Sequence, residues 1–328
     1  MPRIFVYIAH KNGAADDSAA ELLAAAKKID AAASPTAVVT GSGPDLDAVC
    51  STLRASYGEV WKVAHEAFAY PNAELIRKAL VKIVPAGSIV LVAHEHFGID
   101  LGPGLSIKLN AAFVSDVLAI DGIDGTDLKV VRQEFGGQVS AHVLCDISSG
   151  AVITIRPGAL KPLENPDILG TVVDKSAEVG AITAGRRYLQ TVVAEAGDVD
   201  ITRHNVLVSI GRGIQEKDNV SIAQDLADAL GAAVSCSRPV VDAKWLEKSR
   251  QVGSSGKTVK PKVYLACGIS GAFQHLAGIK GNPFIIAINK NPKAPIFQVA
   301  DVGVVDDILE FLPEFTNKVN EMRTVAAK

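Results

Sequence analysis

At 328 residues the chain exceeds one typical domain, so two domains are the natural expectation. Apolar residues make up 48% and aromatic ones only 5%, a balance that suits α/β sheets with strands buried on both faces. The net charge is −3 and the 33 basic residues are dispersed, which gives no sign of a nucleic-acid partner.

The four cysteines, Cys50, Cys145, Cys236 and Cys267, lie far apart with no CxxC pair. That argues against structural zinc or a cysteine-ligated cluster and fits a reducing compartment. No stretch reaches the ~20 apolar residues of a membrane-spanning helix, so no transmembrane segment is expected. MPRIFVYIAHKNG enters a strand directly, without a basic leader and long apolar region, so a cytoplasmic chain is expected.

Residues 3–9 (RIFVYIA) read as a first central strand, and the alanine-rich residues 18–33 as a helix. A strand at 36–40 and an amphipathic helix at 45–57 follow, with Asp45 placed as N-cap. Next come a strand at 60–64, a helix at 73–83 and a strand at 88–93. This alternation predicts a parallel, doubly wound sheet. His94-Glu95-His96 closes that strand. Two histidines one residue apart would share a strand face, as a metal site could use, but no third ligand is evident. The glycine-bearing residues 98–104 are expected as a loop leading into a helix. Strands are predicted at 128–131, 138–145 and 151–155, with Gly136-Gly137 and Ser148-Ser149-Gly150 as turns between them. Arg186-Arg187-Tyr188 reads as a solvated patch. The chain turns polar over residues 195–204, where the domain boundary is placed.

The second half repeats one theme, a short apolar strand followed by a polar turn. Residues 205–210 end in Gly211-Arg212-Gly213-Ile214, ahead of a helix at 220–230. Without a third glycine this is not the dinucleotide fingerprint. Its glycines still expose backbone N–H groups, and Arg212 supplies a fixed charge suited to a pyrophosphate. The strand at 233–236 ends at Ser237-Arg238-Pro239, because Pro239 cannot continue a ladder. Arg238 reads equally as half of a surface ion pair. Residues 251–257 (QVGSSGK) form a loop rich in glycine and small hydroxyl residues, as a ligand-facing loop would be. The spacing of a P-loop is absent, which excludes nucleotide hydrolysis of that type.

Residues 262–289 (KVYLACGISGAFQHLAGIKGNPFIIAIN) read as strand, glycine turn, helix start carrying Gln274 and His275, and strand, ending at Asn289. The pattern gathers polar groups at the C-terminal ends of parallel strands, where ligands bind in open sheets. An ordinary βαβ unit and a nucleotide or flavin site both fit it. Further strand is expected at 295–300 and 302–305. A terminal helix follows to about residue 323, with Asp306 and Asp307 at its N-terminus where acids suit the helix dipole.

The string GISGAFQHLAG, followed by AINKNPKAPIFQVAD, closely resembles the C-terminal signature of the alpha subunit of electron transfer flavoprotein. EFGGQV and TIRPG resemble the middle of that family's first domain more loosely. The resemblance implies two domains, each a mainly parallel doubly wound α/β sheet, with FAD on the C-terminal one. They are expected at residues 1–197 and 205–328, joined by a linker at 198–204, the first domain contacting a beta subunit. In this family the flavin ring faces the beta subunit, which would hold AMP or a second FAD.

Carried over residue by residue, the resemblance places Arg212 at the diphosphate. It puts Ser237 and Arg238 near the cofactor, the arginine over the isoalloxazine. Gln251, Val252, Gly253, Ser254 and Ser255 would form the flavin loop, with the Ser255 hydroxyl near N5. Gly268, Ser270, Gly271, Ala272, Phe273, Gln274 and His275 would wrap the pyrophosphate, ribityl chain and ring, with His275 near O2. Asn289, Asp307 and Ile308 would hold the adenosine end. Negative charge gathers over N1 and O2 as a flavin is reduced. A cation such as Arg238 and a donor such as His275 would stabilise it.

The implied role is an electron carrier rather than an enzyme with its own substrate. It would take electrons from acyl-CoA or related dehydrogenases, as in fatty acid beta-oxidation, and pass them to a quinone-linked oxidoreductase. An NADH-dependent bifurcating flavoprotein is the alternative, and an adenine-nucleotide-binding module without redox role a more distant one. The chain departs from the family at three places. Gly104 stands where an arginine is usual, Lys244 replaces a common glycine, and Lys248 and Arg250 make an unusually basic stretch that is expected to face solvent.

Overall fold

The computed structural model describes residues 2–135, 138–163, 168–186, 188–190 and 199–326. The chain divides into two compact units, residues 1–189 and 190–328. The Gly136-Gly137 turn, Arg187 and residues 191–198 lie outside the described residues. Ile201 is fully buried in the core of the second unit, so residues 199–204 belong to that unit rather than to a free linker.

The first unit is built on a nine-stranded sheet. From one edge the strands run Thr171–Asp174, Glu59–Ala64, Thr36–Gly41, Ile4–Tyr7, Ile89–Ala93, Ala151–Ile155 and Ala112–Asp124, all parallel. Asp127–Glu134 and Val139–Asp146 extend it antiparallel. Alternation along the central strand divides the core. Ile4 and Val6 join the helices Ser18–Ile29 and Asp45–Leu53 on one face. Phe5 and Tyr7 join Ala73–Ile83 on the other. The doubly wound alternation predicted from sequence is present, with these antiparallel strands added at one edge.

Four local expectations are corrected. Residues 98–104 are no loop, because they lie inside the helix His96–Leu109. Their glycines serve packing: a Cβ on Gly98 would sit 1.9 Å from the Ala93 carbonyl oxygen, and one on Gly102 would meet the Phe113 ring at 2.9 Å. Asp45 is not an N-cap but the first helical residue, after Pro44. Residues 295–298 form a 3-10 turn rather than a strand, with Pro295 at its first position, where its fixed φ suits a helix start. Finally, Ala112–Asp124 and Thr171–Asp174 are strands that the sequence reading left unassigned. His94 and His96 do not act together. The His94 Nδ1 lies 2.8 Å from the Thr154 hydroxyl, while His96 opens the helix.

The second unit holds a five-stranded, wholly parallel sheet in the order Ala233–Cys236, Val206–Ile210, Val263–Cys267, Phe284–Ile288, Val302–Val304. The helices Val220–Leu230 and Ile308–Ala326 cover one face through Ala223, Leu226, Ala227, Ile308 and Leu312. The other face is covered by irregular segments that bring Val252, Val259, Ile269 and Ile296 against Leu207, Tyr264 and Ala266. Chain order reverses direction between Val206–Ile210 and Val263–Cys267, because the next strand lies on one side and all later ones on the other. Such a switch point opens a crevice at the carboxyl ends of the strands.

Candidate functional site

The four polar turns of the second unit all leave the carboxyl ends of neighbouring strands. Gly211-Arg212-Gly213 follows Ile210, Ser237-Arg238 follows Cys236, Gly268-Ile269-Ser270 follows Cys267, and Asn289 follows Ile288. The first and third meet at the switch point with almost no space between them. A Cβ on Gly211 would lie 2.2 Å from the Gly268 carbonyl oxygen, and one on Gly213 would lie 2.7 Å from the Gly268 Cα. Gly268 also adopts a φ of +64°. The glycines expected to admit a ligand therefore first let two turns interlock, which fixes where Arg212 and Ser270 stand.

The loop at 251–257 is anchored with similar economy. The Val252 N–H donates to the Cys236 carbonyl at 2.8 Å and the Ser254 N–H to the Gln274 carbonyl at 2.7 Å. Gly253 has a φ of +139° and lies so close to the Gln274 carbonyl that a Cβ would meet it at 2.8 Å. Gln251 donates from Nε2 to the Ser255 hydroxyl at 2.8 Å. Asn289 donates from Nδ2 to the Ile269 carbonyl at 2.8 Å and accepts the Asn291 N–H at 2.9 Å, so its amide staples two turns together.

These segments enclose a cavity of about 680 Å³, within the range of small-molecule sites. Its wall includes Arg212, Ser237, Arg238, Gln251, Val252, Gly253, Ser254, Ser255, Gly268, Ser270, Ala272, Gln274, His275 and Asn289. Of the expected site residues, Gly271, Phe273, Asp307 and Ile308 are not on it. Gly271 packs against Ile296, where a Cβ would sit 2.2 Å from the backbone nitrogen. Phe273 is exposed, and Ile308 is core. Asp307 pairs with Lys290 at 2.5 Å and accepts the Leu309 N–H at 3.0 Å, which together hold its carboxyl below the usual range. The sequence reading missed Gly213, Pro239, Ile269, Asn291, Ala294 and Pro295. The NKNPKAP string offered a signal for the last three, since prolines and asparagines punctuate turns at strand ends.

The wall is electropositive, with Arg212 and Arg238 on it and no carboxylate among the described residues. Arg238 is exposed and only loosely held, its Nε 3.5 Å from Asp242. Arg250 contradicts the expectation of a solvent-facing side chain. It is 8% exposed and donates from Nη1 to the Val234 carbonyl at 2.9 Å, whereas Lys244 and Lys248 are exposed.

His275 is one of three buried polar groups of the wall, with Ser237 and Gln251. Its Nε2 lies 2.8 Å from the Tyr264 hydroxyl, which donates to Ser209 Oγ at 2.7 Å. Among the described residues its buried Nδ1 has no partner within hydrogen-bonding geometry. Burial pushes the imidazole down to about 4, with the Val252 backbone acting the other way, so the ring is neutral at pH 7. Burial also pushes the Cys236 and Cys267 thiols up to about 12, which makes both unreactive. Among the described residues no group of three or more His, Cys, Asp or Glu side chains could hold a metal, and no helix is long and apolar enough to cross a membrane.

Comparison with known proteins agrees with this geometry. The model for the electron transfer flavoprotein domain matches residues 4–186, and that for the electron transfer flavoprotein FAD-binding domain matches residues 200–280. The electron transfer flavoprotein subunit alpha of Thermoanaerobacterium thermosaccharolyticum is 32% identical, covering 98% of each chain. That of Methylophilus methylotrophus is 34% identical, covering 96% of this chain and 98% of the relative. A lactate dehydrogenase (NAD(+),ferredoxin) subunit LctC of Acetobacterium woodii is 31% identical over 76% of this chain and 59% of its own length. With both units matched and relatives aligned from end to end, the chain belongs to the electron transfer flavoprotein alpha-subunit family.

Proposed function

We propose that the chain is the FAD-carrying half of a heterodimer that passes electrons between other redox proteins. One observation carries the reading. Four strand-end turns converge at the switch point on a cavity that has two arginines, no carboxylate and one buried, unpartnered imidazole nitrogen. A dinucleotide fits such a site, because its diphosphate needs fixed positive charge and its ring edge needs a polar partner. The bound FAD would supply the ring that accepts and releases electrons. Arg212 holds the diphosphate, while the tightly anchored Val252–Ser255 loop and the Ser270–His275 segment orient the rest. Arg238 adds a positive charge that favours electron arrival. Asn289 closes the adenosine end through the turns it staples. Asp307 and Ile308 stand outside this set, since each has a structural role. On this reading no side chain need act as nucleophile or general base.

The partner we propose is an electron transfer flavoprotein beta subunit carrying AMP. The donors are acyl-CoA or related dehydrogenases and the acceptor is a membrane-linked quinone oxidoreductase, the chain itself being cytoplasmic. The chain is purified with its co-expressed beta subunit and its flavin measured. A yellow complex with one FAD and one AMP is expected. A complex that stays colourless after FAD is added would sink the proposal. The likeness to LctC, whose name includes NAD(+) and ferredoxin, favours one second reading, a bifurcating flavoprotein. Two FAD per heterodimer would select it.

A further inference from the structure

Among the described residues, the His275 ring makes one hydrogen bond in good geometry, to the Tyr264 hydroxyl at 2.8 Å, while the Val252 backbone acts on the ring from outside that geometry. Both side chains are buried, Tyr264 fully and His275 to 6% exposure, and their ring centroids lie 6.1 Å apart at 55°. The Tyr264 hydroxyl has one proton, and its geometry gives that proton to Ser209 Oγ at 2.7 Å. Ser209 is itself fully buried on the neighbouring strand. A phenol oxygen that has donated its proton can only accept from a second partner. The second partner here is His275 Nε2.

We infer that Tyr264 is a positioning residue: by donating to Ser209 it obliges the neutral His275 ring to carry its hydrogen on Nε2, so that the buried, unpartnered Nδ1 of this cavity-lining ring is a bare acceptor. His275 therefore receives an N–H from a bound ring directly, and gives a hydrogen bond to a carbonyl oxygen only after taking up a proton. The sequence expectation of a ready donor at this position does not hold for the neutral ring. The consequence for a flavin rests on the function proposed above, but the tautomer does not.

Ser235 complicates the simplest test. It pairs in register with Ser209, and its buried hydroxyl acts on Tyr264 while lying outside hydrogen-bonding geometry. The decisive variants are therefore Tyr264→Phe and the double change Ser209→Ala with Ser235→Ala. The full chain, labelled with ¹⁵N-histidine, is measured by NMR without FAD, and His275 is assigned by the signals lost in His275→Gln. Wild type should show Nε2 protonated and Nδ1 bare. Tyr264→Phe should mix the two tautomers. The double variant leaves Tyr264 no hydroxyl acceptor, so its proton turns to Nε2 and the ring switches to Nδ1–H. In the FAD-loaded complex that switch supplies a donor and should raise the midpoint potential above wild type. A wild-type ring protonated on Nδ1, or one tautomer unchanged across all three proteins, overturns the inference. Failure of wild type to bind FAD would sink the flavin assignment alone, because the tautomer is read on the unloaded chain.

Discussion

The cost of keeping His275 neutral is measurable. The unfolded imidazole titrates near its ordinary value of 6.5, and the folded one near 4. Between those values the unfolded state binds more protons, so stability falls as pH falls, and the loss saturates below the folded value. The gap corresponds to about 3 kcal/mol. In urea titrations of the unloaded chain, His275→Gln should remove that part of the pH dependence between 6.5 and 4. Parallel wild-type and variant curves over this window would show that the ring is not the group responsible. Arg238 is the opposite kind of residue, exposed and held by a loose ion pair to Asp242 at 3.5 Å. Its charge is screened, so its effect on a nearby ring is modest, about 1 kcal/mol. Arg238→Ala should lower the FAD midpoint potential by about 40 mV for a one-electron step. An unchanged potential would place the guanidinium away from the flavin.

At the scale of elements, Lys244 illustrates a residue that its helix does not suit. The short helix Arg238–Asp242 ends in a Schellman motif: the Lys244 N–H donates to Val241 at 2.8 Å and the Trp245 N–H to Val240 at 3.0 Å. Lys244 takes the left-handed position with φ +59°, which a Cβ penalises. Lys244→Gly should stabilise the second unit by about 1 kcal/mol in denaturant titrations. A loss of stability would mean that the lysine makes a compensating contact. In the first unit Asp116 also has a left-handed φ, +60°, and is held by Arg156 through two hydrogen bonds at 2.8 and 2.6 Å. Burial alone would raise its carboxyl, but the Arg156 hydrogen bonds and charge offset that and hold it below the usual range. The pair's contribution is therefore present above the unfolded carboxylate value and lost as pH falls through the folded one. Arg156→Met should cost about 2 kcal/mol at pH 7, because it leaves a half-buried carboxylate without its guanidinium partner. A difference that persists unchanged at strongly acid pH would argue for packing instead.

The same elements show what a sequence can and cannot reveal. Val263–Cys267 and Phe284–Ile288 were legible because they are short apolar runs buried on both faces and bounded by turn residues. Their polar ends exposed most of the cavity wall, since strand ends and crevice coincide in a parallel sheet. Ala112–Asp124 was not legible: it is half-exposed and carries three aspartates and a glycine. The helix His96–Leu109 hid behind Gly98, Gly102, Pro103 and Gly104, whose local preference is overridden by close packing on Ala93 and Phe113. Arg250 looked solvated in its basic string because nothing local announces the Val234 carbonyl that receives it. The Tyr264–His275 contact joins a strand to a helix start eleven residues on, and only the folded loop brings them together.

Taken as a whole molecule, the chain carries separate cores in its two units and one tryptophan in each. Trp61 packs with Phe5 and Val63 in the first, and Trp245 lies against the core of the second. The cavity, and the match to the FAD-binding domain, fall entirely within the second. A ligand that binds only the native form of one unit stabilises that unit by mass action, by about 2.7 kcal/mol at a hundredfold excess over Kd. Unfolding followed by fluorescence in Trp61→Phe and Trp245→Phe variants reads the units one at a time. With FAD at that excess, the Trp245 transition should move by about 2.7 kcal/mol while the Trp61 transition stays in place. If both transitions move together, the two units unfold as one cooperative body, and FAD stabilises the first through the second. If only the Trp61 transition moves, the binding site has been assigned to the wrong half of the chain.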